Sequence, residues 1–223
     1  MKIGAITVGQ SPRTDVTPDL YPILGEKVEI LEKGALDGLT DEEIQAFQPE
    51  EGDYVLVSRL RDGRSVTFAE KHILSRIQTQ ITSLQEEGVE LILFLCSGNF
   101  PVAFQASIPL LFPKELLGAL VPLFTVKSHI TVLVPSELQI LQASERWRKL
   151  VDKVDVISAS PYKGIEEIHR VKEQVKASRG DLIVLDCIGY TQEMKEYLGA
   201  TVRKKVILPR TLAARIITEI TDR

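Results

Sequence analysis

This chain of 223 residues holds two cysteines, one tryptophan, three histidines and a single asparagine, Asn99. Two cysteines with no C-x-x-C pair argue against a zinc ribbon and against thioredoxin-type redox chemistry. None of His72, His129 and His169 falls in a metal-ligand spacing, so no metal and no cofactor is expected. The sequence has no G-x-x-x-x-G-K-[ST] phosphate loop and no G-x-G-x-x-G dinucleotide fingerprint. Positive charge is not in excess: the formal net charge is −4 and the pI is near 5.5. No basic field is left to hold a nucleic-acid backbone. The longest apolar run, residues 91–96, is far short of the roughly 20 residues that span a bilayer. Residues 3–8, ahead of Gly9, are too few for the core of an export signal. The expected compartment is therefore the cytoplasm, where both cysteines stay free thiols. Scarce Asn and Cys beside abundant Glu, Lys and Arg match a heat-adapted composition.

What is present is a normal core and a regular alternation. Apolar residues make up 44% of the chain, enough for one large domain or two small lobes. Short apolar runs at 3–8, 27–31, 54–58, 90–95, 121–125, 130–134, 154–158, 181–185 and 205–208 read as strands. Helical spacing is expected over 12–24, with Ser11 as N-cap and Pro12 in the first position. Thr40 and Glu43 form a T-x-x-E capping box on a short helix. A helix is expected over 68–87, where Ile73, Ile77, Ile81 and Leu84 share a face and Gly88 ends it. Ser136 opens another with an S-x-x-Q cap at Gln139, running to about 151, and further helices cover 164–178, 191–198 and 212–220. The segment 101–117 is mixed, and Arg61-Asp62-Gly63-Arg64 reads as a hairpin tip.

Strands alternating with helices predict βαβ units and parallel sheets. Leu91 to Gly98 and Leu182 to Gly189 look alike: each is a buried strand ending in a cysteine and a small-residue turn. That likeness points to two related lobes.

Ligands of open α/β sheets bind at the carboxyl ends of strands. Cys96 and Cys187 both lie there, beside helix starts whose amides and dipole favour a thiolate. For either cysteine alone the competing reading is a buried apolar residue. Other anion-friendly residues gather at strand ends: Gln10, Ser11 and Arg13 after the first strand, Ser58, Arg59 and Arg61 after the third, then Ser136 and Thr211. Each of these alone is equally well a cap, a turn residue or a surface ion pair. Asp186, beside Cys187, is placed to orient a neighbour, to act as a base, or to cap the following turn.

Five segments carry a resemblance: Gly9-Gln10-Ser11-Pro12-Arg13, Ser58-Arg59-Leu60-Arg61-Asp62-Gly63, Cys96-Ser97-Gly98-Asn99, Leu185-Asp186-Cys187-Ile188-Gly189-Tyr190 and Pro209-Arg210-Thr211-Leu212-Ala213. Together they resemble the AroM family, which is similar to the aspartate/glutamate racemase superfamily. The resemblance implies two flavodoxin-like lobes with parallel sheets and a cleft between them. The first lobe would comprise residues 1–124 plus the returning helix of 209–223, and the second residues 125–208. It also implies that Cys96 and Cys187 face each other across the cleft, and that the protein is a homodimer. The racemases carry C-N-T and G-C-T segments where this chain has Cys96-Ser97-Gly98 and Asp186-Cys187-Ile188-Gly189.

Three functions fit. The first is a cofactor-independent racemase or isomerase of a small carboxylate. One cysteine removes a proton and the other returns it, while Ser97, Gly98, Asn99, Gly189 and Arg13 or Arg59 hold the anion. The second is a small-anion-binding or regulatory protein on the same scaffold. The third is a redox pair closing a disulfide across the cleft.

Overall fold

The computed structural model describes residues 1–221; residues 222 and 223, the end of the segment expected to return to the first lobe, lie outside it. The first sheet contains β1 (Lys2–Thr7), β2 (Glu29–Gly34), β5 (Leu91–Leu95) and β6 (Leu110–Leu111), all parallel. The second contains β7 (His129–Val134), β8 (Lys153–Ser158), β9 (Leu182–Leu185) and β10 (Lys205–Ile207), again all parallel. Their orders are β2-β1-β5-β6 and β10-β9-β7-β8. Counting only each sheet's own strands, both run 2-1-3-4, the flavodoxin-like order. The strand order reverses between strands 1 and 3, where such sheets hold their ligands. β5 and β9 are the third strands, and both are buried along their whole length, as the continuous apolar runs predict.

Between the first two βα units and β5 stands an antiparallel hairpin, β3 (Val55–Arg59) and β4 (Ser65–Ala69). Arg61 to Arg64 does form its tip: Leu60 N–H donates to Arg64 C=O at 2.8 Å, and Gly63 sits at φ +96°. That conformation suits glycine. The returning strand β4 replaces the start of the helix expected from residue 68. Phe68 pairs with Leu56, and α3 begins at Leu74 (Leu74–Glu86).

Other departures have local causes. The first helix, α1 (Thr17–Leu24), starts five residues later than expected, because Ser11 does not cap it. Ser11 N–H and Oγ both go to the Asp37 carboxylate, at 2.9 and 2.5 Å. Residues 121–125 are not a strand: the first four belong to α4 (Pro113–Phe124) and Thr125 is its C-cap; Leu117 and Val121 pack on the second sheet while Leu123 and Phe124 face out. A short apolar run cannot distinguish the two by periodicity. Thr40 and Glu43 do make the reciprocal capping box on α2 (Asp41–Gln45). Ser136 caps a 3-10 turn, Glu137–Gln139, ahead of α5 (Ile140–Trp147). α6 (Ile165–Ala177) and α7 (Gln192–Val202) flank the second sheet through Val171, Val175, Met194 and Leu198. The last helix, α8 (Pro209–Thr221), packs against α1 and α4 and buries Ala213, Ala214 and Ile217 with Ile3, Leu20 and Leu93. No helix among the described residues is long and apolar enough to cross a membrane.

Candidate active site

The two third strands end in matching turns. After β5, Cys96 Sγ accepts the Gly98 N–H at 3.2 Å; after β9, Cys187 Sγ accepts the Gly189 N–H at 3.4 Å. In each case the thiol turns back on the amide two residues ahead, which the small-residue turn permits. Both cysteines are free and 8% exposed. Both line one cavity, together with Ser97, Gly98, Ser58, Tyr54, Tyr162 and Asp186. Its volume is about 30 Å³, room for about two waters.

Burial dominates the chemistry of both sulfurs. It pushes the Cys96 thiol up from 9.0 to about 12, against the opposing Gly98 hydrogen bond and the Arg13 charge. Burial likewise pushes the Cys187 thiol up, opposed by the Gly189 amide, the Tyr162 hydroxyl at 3.7 Å and Arg13. The expectation that strand-end amides favour a thiolate is therefore reversed in the closed cavity. The amides do bond the sulfurs, but desolvation outweighs them.

Arg13 is buried but not free to grip an anion. Its Nε and Nη2 hold the Asp15 carboxylate at 2.8 Å each, and Nη1 donates to Thr7 Oγ1 at 3.0 Å and Ser58 Oγ at 3.5 Å. It lies 5.9 Å from the Tyr162 ring centroid and acts on the cavity as a fixed charge behind it. Arg59 pairs with Asp15 at 3.7 Å, away from the cavity wall. Gln10 accepts from Arg61 N–H at 2.9 Å, and Ser136 Oγ from Leu138 N–H at 3.3 Å. Thr211 lies inside α8 and bonds Leu208 C=O. Asn99 sits just behind the wall: its N–H donates to Tyr54 Oη at 3.1 Å, and its Oδ1 accepts from Lys114. Of the residues singled out in the sequence, Ser58, Cys96, Ser97, Gly98, Asp186 and Cys187 line the cavity. Gly189 backs it, where a Cβ would meet the Tyr162 ring at 2.8 Å.

Sequence reading did not single out the second wall. Gln139, Gln142, Ala143 and Arg146 face the cavity from α5 and the turn before it. Gln142 bonds both backbone groups of Val55 in β3, and Gln139 Nε2 donates to the same carbonyl at 3.1 Å. Arg146 donates through Nη1 to Ser97 C=O at 3.1 Å and through Nη2 to Asp186, whose Oδ2 also accepts from Trp147 Nε1 at 2.9 Å. The available signal was polar residues spaced by three and four along one helix face. Arg210 was also missed. It is buried in α8 and holds the turn after Cys187, giving Nε and Nη2 to Ile188 C=O at 2.9 and 2.7 Å and Nη1 to Asp15 C=O and Asp19. Among the described residues, no group of three or more His, Cys, Asp or Glu is placed to hold a metal ion.

The family model described as AroM protein matches residues 3–221. This chain belongs to the AroM family. Solved structures share the fold of this AroM-family chain over nearly all of its length. Allantoin racemase from Klebsiella pneumoniae is 15% identical with a TM-score of 0.63, covering 98% of this chain and 86% of that one. Maleate isomerase from Pseudomonas putida S16 is 13% identical with a TM-score of 0.64, covering 99% and 92%. Picrophilus torridus aspartate racemase is 13% identical with a TM-score of 0.60, covering 100% and 96%. The architecture is thus the two-lobed α/β arrangement of aspartate/glutamate racemase-like proteins. No curated protein sequence matches the chain.

Proposed function

We propose that this AroM-family protein is a cofactor-independent racemase or isomerase of a small carboxylate, with Cys96 and Cys187 as its proton-transfer pair. The observation that carries this reading is the pair itself: two thiols at equivalent strand ends of two like-ordered sheets, lining one cavity. In the resting cavity both thiols are neutral. Before the first turnover one sulfur releases its proton to bulk water, and the Gly98 or Gly189 amide and the Arg13 charge stabilise the resulting thiolate. That thiolate takes the proton from the carbon next to the carboxylate. The opposite thiol delivers its proton to the other face, so one turnover exchanges the roles of the two sulfurs with no net gain or loss of protons. Such positioned acid–base groups are worth about 10² to 10⁴-fold. The rest must come from donors aimed at the developing enolate, and the Ser97 hydroxyl and the Tyr54 hydroxyl are the side chains in place.

The test is proton exchange in deuterated water across a panel of small carboxylates. Deuterium is expected at the carbon alpha to the carboxylate, and its incorporation is lost in Cys96→Ser and in Cys187→Ser. Exchange that survives in both variants, or is absent across the panel, sinks the proposal.

A second reading, binding without catalysis, draws on the burial that holds both thiols protonated. Proton exchange separates the two: a carboxylate that protects Cys187 from iodoacetamide, and so binds, yet exchanges no alpha proton favours binding alone. The free thiols suit a reducing cytoplasm. Residues 1–124 with the α8 segment, and residues 125–208, are the two lobes we assign to the cleft. A homodimer is the assembly we expect, and sedimentation at varied concentration checks it.

A further inference from the structure

Asp186 meets the cavity with one carboxylate oxygen bonded and the other free. Oδ2 accepts from Arg146 and from Trp147 Nε1. Oδ1 is buried, the side chain is 3% exposed, and no group among the described residues bonds it. Ser97 Oγ is buried and equally unbonded. Arg146 fixes these two positions relative to each other, since one of its nitrogens goes to Ser97 C=O and another to Asp186. Both residues line the cavity that holds the thiols.

Buried polar atoms are almost always bonded, and each exception calls for a reason. Gln139 Oε1, on the lining of the same cavity, is likewise buried and unbonded, and it too only accepts. The Asp186 and Ser97 atoms differ in chemistry. An ionised carboxylate oxygen only accepts, whereas a hydroxyl also donates. A ligand carboxylate set against Asp186 would meet like charge; an N–H set there would be bonded.

We infer that the ligand of this cavity is a carboxylate that also carries an N–H donor, such as an amino acid, with its nitrogen on Asp186 Oδ1 and its carboxylate at Ser97 Oγ. This rests on the cavity being the substrate site and names the substrate class. A plain dicarboxylate would bring a second negative charge to Asp186 and leave Oδ1 unbonded. Sites built around a ligand hydrogen bond reject analogues lacking it steeply, because the protein group is then buried without a partner.

Matched pairs differing only in the amine test this: aspartate against succinate, and phenylalanine against 3-phenylpropionate. The readout is protection of Cys187 from iodoacetamide in the full-length protein. At least one amino member should protect, with its amine-free partner weaker by about tenfold or more. Asp186→Asn should bring that ratio close to one. Should it fail to fold, the double variant Arg146→Gln with Asp186→Asn keeps a neutral hydrogen-bonding pair and reads the same loss. Equal protection by the amine-free partner, or no protection by any amino member, overturns the inference. Amino acids that protect without exchanging their alpha proton overturn the acid–base reading and leave this one standing. Exchange confined to amine-free acids does the reverse.

Discussion

Gln142 of α5 pairs with Val55 of β3 through both backbone groups: its Oε1 accepts the Val55 N–H at 3.0 Å, and its Nε2 donates to the Val55 C=O at 2.9 Å. The side chain thus completes the outer edge of the hairpin as a neighbouring strand would, and it belts the second sheet's helix to the first half of the molecule beside the cavity. Space for about two waters must enlarge before any carboxylate enters, and release of this contact is the opening that the following variant tests. Gln142→Ala should lower stability by about 1–2 kcal/mol, the effect of a backbone N–H left unpaired at a part-buried edge. It should also speed iodoacetamide labelling of both cysteines. Unchanged labelling would show that the cavity opens elsewhere.

Arg210 ties the turn after Cys187 to α1 through four hydrogen bonds. Its side chain is 1% exposed, and its charge is met by Asp19. Arg210→Met should cost about 3 kcal/mol or more, because Asp19 and two carbonyls lose their donor. Urea unfolding measures it; a loss under about 1 kcal/mol would mean that the turn holds its shape unaided.

The Cys96 thiol sets a pH limit on stability. Its value in the folded protein is raised by burial, from 9.0 to about 12. The folded state therefore keeps the proton after the unfolded chain has released it. The contribution is complete below pH 9 and is lost as pH climbs towards 12. Denaturation midpoints should fall across that window, and Cys96→Ala should flatten the fall. An identical slope in the variant would assign the loss to other groups.

Tyr162 acts on Cys187 in the opposite direction to burial. Its hydroxyl lies 3.7 Å from Sγ and favours the thiolate. Tyr162→Phe should raise the Cys187 thiol further and slow its alkylation several-fold at pH 8.5, while Cys96, bonded by Gly98 instead, keeps its rate. Mass spectrometry of the labelled peptides distinguishes the two sites.

Glu70 is a strained carboxylate outside the cavity. Burial, then the Asp53 charge, lift it to about 7, and its Oε2 is buried without a partner. Being raised in the folded state, it supports folding while protonated and withdraws that support as pH rises through 7. Glu70→Gln should leave the melting temperature unchanged at pH 4 and raise it at pH 8. A variant that melts lower at pH 8 would show that the charged form is solvated after all.

Much of this protein was legible from local pattern alone. The buried runs ending at Cys96 and Cys187, the capping box at Thr40 and the turn at Gly63 are set by neighbours a few residues away, so periodicity and turn chemistry reveal them. The likeness of the two cysteine segments also announced two sheets of one design, because a βαβ unit fixes its own strand direction and order. What remained hidden depends on partners far along the chain. Residues 121–124 became helix, with Leu117 and Val121 packed on the second sheet. Arg13 reaches Ser58, 45 residues on, besides its near neighbours Asp15 and Thr7, and Gln142, Arg146 and Arg210 reach across dozens of residues to their acceptors. The charge state of the thiols belongs to the same class. Strand-end amides are written into the chain, but desolvation exists only once the cavity has closed around the sulfurs, and it is the larger effect.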